Sequence, residues 1–358
     1  MIPQVNLKIG LTSCIIVALA GNAASFVSPV ARYHSMSLLS SVDEVDVFSG
    51  DESTPVSVDE DVEAVIEMES TEPENDTNTP LIRAELKAKL LQSVASTDRG
   101  QLASLSQKED IADIVSELVE LNPIDETTTS SHAKGTWELV YSNTQLFRSS
   151  PFFMAGRAVC KDGDEAEQYD WFCDMHRAAL AISTIGKVRQ VVSEEKLVSE
   201  FEVKVGSIPF LSDFTPFAYS GGWPVTIEGA IVSSASIEAS PIPKAYSLFM
   251  DTVEIKGSNI PLLRTVLDNP NVALQSRKLG GLLEDTFPDQ YTNPKPVFET
   301  VYLDEDGLRI SKDQDGKLFV YSKLSESEEL TNYDNVMADL GVAKLLEGFN
   351  DKVLKFYI

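Results

Sequence analysis

The sequence predicts a mainly β, α+β fold: a closed or nearly closed antiparallel β-barrel, preceded by two α-helices and followed by a short C-terminal helical extension. Three observations carry this expectation. Val297 to Lys323 holds three runs of alternating apolar and polar residues, separated by acidic, Gly-containing turns at Asp304–Gly307 and Asp315–Gly316. Such period-two runs joined by Asp-Gly turns form an antiparallel meander. Six further strand candidates precede it, with frequent short turns between them and no helical pattern interposed. Two amphipathic helices come before the first strand.

In the meander, Val297, Glu299, Val301 and Leu303 fall on one face, and Phe298, Thr300 and Tyr302 on the other. Leu308 and Ile310 alternate with Arg309 and Ser311, and Leu318 and Val320 with Phe319 and Tyr321. The strand Gly135–Tyr141 opens the β region, with Trp137, Leu139 and Tyr141 expected on one face. The other candidates are Lys187 to Ser193, Lys196 to Gly206, Pro224 to Val232, Ser234 to Ser240 and Ser247 to Lys256. About eight strands enclose an interior that side chains fill or that holds one small ligand, and both alternatives stand at this point.

For the helices, Ile82, Leu86, Leu90 and Val94 recur at a spacing of four and predict one from Leu81 to about Ser96. A second carries Ile111, Ile114, Val115 and Leu118, opens on a capping box read as Ser106 with Glu109, and stops at Asn122-Pro123. Neither has a basic polar face, so both are expected to pack on the barrel rather than on a membrane. Tyr333 to Ile358 reads as one or two short docking helices.

The formal charge of −27 over 358 residues is unevenly placed: no Lys or Arg lies between Arg32 and Arg83, while fourteen acidic residues do. An acidic surface repels phosphate backbones, which argues against a nucleic-acid partner. Residues 1–25 read as a signal peptide, with Ile9 to Ala20 as its apolar core. Residues 26–42, beginning Phe26 and containing Arg32 and several serines, read as transit-peptide-like. Ala23-Ala24-Ser25-Phe26-Val27-Ser28-Pro29 resembles the two-part plastid presequence of diatoms and related algae. Residues 43–80 form an acidic stretch too poor in apolar groups to offset chain entropy, and are expected to be a disordered linker.

Chemistry-bearing motifs are few. The sequence has no Gly-x-Ser-x-Gly elbow, no P-loop, no dinucleotide fingerprint and no His-Glu-x-x-His. Besides His34 there are only His132 and His176. Cys160, Cys173 and His176 are a poor match to zinc-ligand spacing; a Cys160–Cys173 disulfide or two free thiols are the alternatives. No metal and no cofactor is expected. Phe152-Phe153-Met154 with Trp171-Phe172 reads as an aromatic lip at the barrel mouth or as a satellite packing cluster. Phe210 to Trp223 reads either as an apolar entry surface or as a cap that buries its own rings.

Three features together resemble the plastid lipid-associated protein family, also called fibrillins or plastoglobulins. They are Glu117-Leu118-Val119-Glu120-Leu121-Asn122-Pro123, Gly135-Thr136-Trp137-Glu138-Leu139-Val140-Tyr141-Ser142, and Tyr302 to Ser311 followed by Gly316-Lys317-Leu318-Phe319-Val320. The resemblance spans Leu81 to Leu324 and departs from the family pattern in three places: the turn Lys312-Asp313-Gln314-Asp315, an insertion at Ala158 to Arg177, and an extension over 325–358. It implies a lipocalin-like barrel over 81–324, in plastids, at thylakoids or plastoglobules, binding apolar lipids, prenylquinones or carotenoids. It brings no catalytic residues. Gly135-x-Trp137 also resembles the first strand of lipocalins proper, where an Arg packs over the Trp ring. Arg309 is the candidate for that structural role, with pairing to Asp304 or Glu299 as the alternative. Candidate ligand-lining residues are Trp137, Leu139, Tyr141, Phe201, Phe217, Trp223 and Phe319.

Three functional readings follow: a non-enzymatic lipid binder, an accessory scaffold for a lipid or isoprenoid enzyme with a protein partner, and a carotenoid-modifying enzyme. The last requires an interior carboxylate, for which Glu200, Glu202, Glu228 and Glu254 are the candidates.

Overall fold

The computed structural model describes residues 78–160, 162–179, 183–205, 227–259, 261–269, 272–286 and 292–335. The expected signal peptide and transit-like segment, nearly all of the acidic linker, the aromatic stretch holding Phe217 and Trp223, and residues 336–358 lie outside the described residues.

Two helices lead, α1 (Thr79–Ala95) and α2 (Leu105–Glu120). The capping box of α2 sits two residues earlier than the sequence reading placed it. Ser104 accepts from the backbone N–H of Gln107, and Gln107 Oε1 accepts from the Ser104 N–H at 2.9 Å. The same Ser-x-x-Gln logic was available at Ser104, but Ser106–Glu109 matched the commoner acidic form.

Strands β1 (Gly135–Ser142), β2 (Ser183–Val192), β3 (Lys196–Val205), β4 (Ile227–Ala239), β5 (Ala245–Lys256), β7 (Val297–Leu303), β8 (Leu308–Asp313) and β9 (Leu318–Ser325) pair antiparallel, each with the next in this series. The pairing of β9 with β1 closes the ring, so the sheet is barrel-like and leaves none of these eight strands as an edge. A two-residue strand, β6 (Leu274–Gln275), attaches to β5 alone. From Ile227 on, where the described residues resume, the candidates Pro224–Val232 and Ser234–Ser240 form one strand, β4. Ser233 between them does not turn the chain, because its side chain is buried and its Oγ lies 2.9 Å from Ser150 Oγ.

Gly135 opens β1 with φ +110°, and a Cβ there would lie 2.5 Å from the Ser325 carbonyl oxygen, so only glycine lets β9 approach this closely. Gly307 at φ +86° closes the β7–β8 turn, where Asp304 accepts from the Leu308 N–H at 2.9 Å and pairs with Lys87 of α1 at 2.7 Å.

Two apolar layers result. The interior gathers Trp137, Leu139, Val188, Leu197, Phe201, Leu248, Phe298 and Phe319. The outer face of β7–β9 gathers Tyr302, Leu308, Ile310 and Val320 against Leu90, Ile111, Ile114 and Leu118 of α1 and α2. Both faces of the meander are therefore buried, which explains why its alternating positions are apolar on each side.

Two register shifts alter the expected faces. Between Leu139 and Tyr141 the pairing with β9 slips by a residue, so Tyr141 leaves the interior and packs with the helices. Between Thr300 and Tyr302 a second shift puts Leu303 inside with Phe298 and Tyr302 outside. Helices α3 (Pro151–Val159), α4 (Asp164–Ala179), α5 (Pro261–Leu267) and α6 (Ser276–Thr286) complete the described elements, apart from short 3-10 turns.

Candidate functional site

The interior is centred on a stack. The Arg309 guanidinium lies 4.8 Å from the Trp137 ring centroid and 4.3 Å from that of Tyr321, and all three side chains are fully buried. Trp137 is held from below by its own Nε1, which donates to the Ala133 carbonyl at 2.9 Å, and Lys323 Nζ sits 5.3 Å from its ring. Arg309 takes the stacking position over Trp137; Asp304, the alternative partner, pairs with Lys87 instead. Burial lowers the Arg309 pKa from its ordinary value, partly offset by the nearby Tyr321 and Tyr246 hydroxyls.

Cross-strand registry carries polar groups away from this stack at one level of the barrel. Arg309 opposes Tyr321, Trp137 opposes Gln190, Gln190 opposes Ser199, and Ser199 opposes Ser233. Gln190 Oε1 accepts from Arg309 Nη2 at 2.5 Å, while its amide donates to the Ser149 carbonyl at 2.8 Å. Ser150 caps α3 and meets Ser233. The stretch from Leu146 to α3 thus enters the interior, and Phe147, Phe153 and Met154 join the same apolar cluster as Trp137 and Phe319.

Ion pairs bolt this stretch to the β8–β9 turn. Arg148, 3% exposed, reaches Asp315 at 2.9 Å, Asp313 at 3.5 Å and Asp170 of α4 at 2.5 Å. Arg157 reaches Asp315 at 2.8 Å and Asp162 at 3.0 Å. Burial raises the Asp313 pKa, against the opposing pull of Arg148. The β8–β9 turn therefore supplies the carboxylates, Asp313 and Asp315, that hold Arg148 and Arg157 at the start of the stretch leading into α3 and within α3.

The inserted segment is a packing element rather than a lip: Tyr169 and Cys173 are buried in the interior cluster, and Phe152 and Phe172 pack against it. Trp171 is 64% exposed and joins neither cluster. No disulfide joins Cys160 to Cys173, and burial pushes the Cys173 thiol up to about 11. Among the described residues no group of three His, Cys, Asp or Glu side chains is placed to hold a metal ion. His132 lies in a short turn before β1.

Of the proposed lining residues, Trp137, Leu139, Phe201 and Phe319 meet in the interior cluster, Tyr141 does not, and Phe217 and Trp223 are outside the described residues. The four carboxylates weighed for catalysis face outward. Phe201 and its β4 partner Ile231 point in, so Glu200 and Glu202, their neighbours along β3, point out. Glu200 is covered by Thr331, whose Oγ1 donates to it at 2.5 Å. Glu228 pairs with Lys204 and Glu254 with Lys256. Sequence reasoning missed Gln190, Ser149 and Ser150; the Ser-Ser-Pro run at 149–151, a helix-start signal, was the available clue.

The described residues thus form a closed, barrel-like antiparallel ring with an aromatic interior and a buried Arg–Trp contact, and the four candidate carboxylates face outward. Residues 84–215 match the family model PAP_fibrillin, and the resemblance to plastid lipid-associated proteins, or fibrillins, holds. The match takes in the Glu117–Pro123 and Gly135–Ser142 features and the inserted segment, but not Tyr302–Val320. No curated protein and no solved structure matches the chain.

Proposed function

We propose that this chain is a non-enzymatic plastid lipid-associated protein that binds apolar lipids, prenylquinones or carotenoids at plastoglobules or thylakoids. The observation that carries this reading is the closed ring lined by Trp137, Leu139, Phe201 and Phe319, in a chain whose residues 84–215 match PAP_fibrillin. The mechanism is apolar burial, worth about 0.8 kcal/mol for each methylene removed from water, before ordering costs. Plastid targeting through residues 1–42 is part of the proposal. Organic extraction of the purified protein, followed by mass spectrometry, tests it: a stoichiometric apolar lipid supports the reading, and recovery of none opposes it.

A second reading, an accessory scaffold for a plastid lipid or isoprenoid enzyme, draws on a specific observation. Phe147, Phe153 and Met154 occupy interior space that a ligand would otherwise take. It predicts a stable complex with such an enzyme and no bound lipid.

A further inference from the structure

We propose that Arg309 anchors the carboxylate of an acyl chain inside the barrel, an inference that rests on the lipid-binding reading above. Arg309 is 0% exposed, yet among the described residues its Nε and Nη1 have no hydrogen-bond partner. Among the described residues its side chain makes one hydrogen bond, to a neutral amide, Gln190, and the rings of Trp137 and Tyr321 lie against it at 4.8 and 4.3 Å. A guanidinium moved from water to such a place loses hydration worth several kcal/mol unless an anion and further acceptors replace it. No carboxylate among the described residues pairs with it. The carboxylates of the neighbouring turns are committed to Lys87, Arg148 and Arg157.

The same level of the barrel holds a second unpartnered group. Ser199 Oγ, also 0% exposed, hydrogen-bonds to nothing among the described residues, and Ser199 is the direct cross-strand neighbour of Gln190. The Tyr321 hydroxyl lies beside Ser149 without closing a hydrogen bond of normal geometry. Donors without acceptors on neighbouring strands, around a buried cation, call for a ligand that supplies oxygen lone pairs and negative charge. A carboxylate does both, and a planar guanidinium edge matches it. The surrounding wall is apolar (Trp137, Leu139, Phe201, Phe319), so the rest of the ligand is hydrocarbon. The structure thus favours a free acyl carboxylate over a neutral ester or a polar metabolite.

Calorimetric titration of the full chain, stripped of lipid, compares palmitate, methyl palmitate, acetate and a neutral prenylquinone. Charge-assisted hydrogen bonds predict that palmitate binds about tenfold to a hundredfold tighter than its methyl ester. Arg309→Met abolishes that preference while near-ultraviolet circular dichroism stays native. Ser199→Ala, a change of one buried oxygen, weakens palmitate severalfold and leaves the ester unchanged, so the proposal is testable even if Arg309→Met does not fold. Equal affinity for acid and ester overturns the anchor and leaves the lipid-binding reading standing. Acetate binding as tightly as palmitate overturns it in favour of a small free anion. Failure of palmitate, its ester and the prenylquinone alike overturns the anchor and the lipid-binding reading together.

Discussion

Tyr141 lies on the opposite face of its strand from the one a strict alternation assigns to it, and the displacement has measurable consequences. Packed against α1 and α2, it is fully buried, and burial pushes its hydroxyl up to about 12 from an ordinary value of 10.0. Because the folded state holds this proton more tightly than the unfolded chain, the stability involved is fully present below pH 10.0 and is lost as pH rises toward about 12. Urea titrations across that range should show stability falling less steeply in Tyr141→Phe than in the parent, while Tyr302 and Tyr321, also raised by burial, keep part of the slope. An equal slope in both proteins would contradict the assignment. At Cys173 the raised thiol and zero exposure predict slow alkylation in the native protein. Cys160, half-buried at the end of α3, should react first, with both reacting once urea unfolds the chain. Peptide mapping of the labelled protein reads this directly. At this scale Trp137, Leu139, Phe201 and Phe319 were legible as interior positions, because their strands alternate without interruption up to those residues. Tyr141 was not, since a register shift depends on what the partner strand does and leaves no mark in the residue's own segment.

Among the elements, α2 offers a clean test of where a helix begins. Ser104→Ala should cost about 1 kcal/mol, whereas Ser106→Ala, one turn position inside the helix and exposed, should change stability by less than about 0.5 kcal/mol. Thermal or urea unfolding of the two variants distinguishes them, and the reverse order would restore the Ser106 box. The stretch from Leu146 through α4 depends on charge instead. Arg148→Met leaves Asp313, itself buried, without its cation, and should destabilise by about 3–5 kcal/mol in a urea titration. A loss below about 1 kcal/mol would mean that the bolt carries no stability. The elements differ in how visible they were. The meander and both leading helices were plain from periodicity. By contrast, α6 was hidden by Gly280 and Gly281, each about 1 kcal/mol poorer than Ala in a helix. A Cβ at Gly280 would meet Asn293 Oδ1 at 2.1 Å, a constraint set by a residue outside the helix's own segment. Likewise β4 was read as two strands, since nothing local tells a buried serine from a turning one.

For the whole molecule, the closed ring explains why so many of its strands look apolar on both faces: one side lines the interior, and on β7–β9 the other receives the helices. The antiparallel order was legible because sequential strands keep their chain order around the ring, whereas the count was one too high where β4 was split and β6 was not foreseen. The entry of α3 into the interior was not, since its anchors lie far along the chain, at Gln190, Ser233 and Asp315. That entry sharpens the central claim, that apolar lipid is held within the ring and not on its outside. Photo-crosslinking with an apolar lipid analogue, followed by peptide mapping, tests it most directly. The account predicts adducts on interior positions of β1, β3 and β9, around Leu139, Phe201 and Phe319; adducts confined to outward residues such as Trp171 and Leu282 would contradict it.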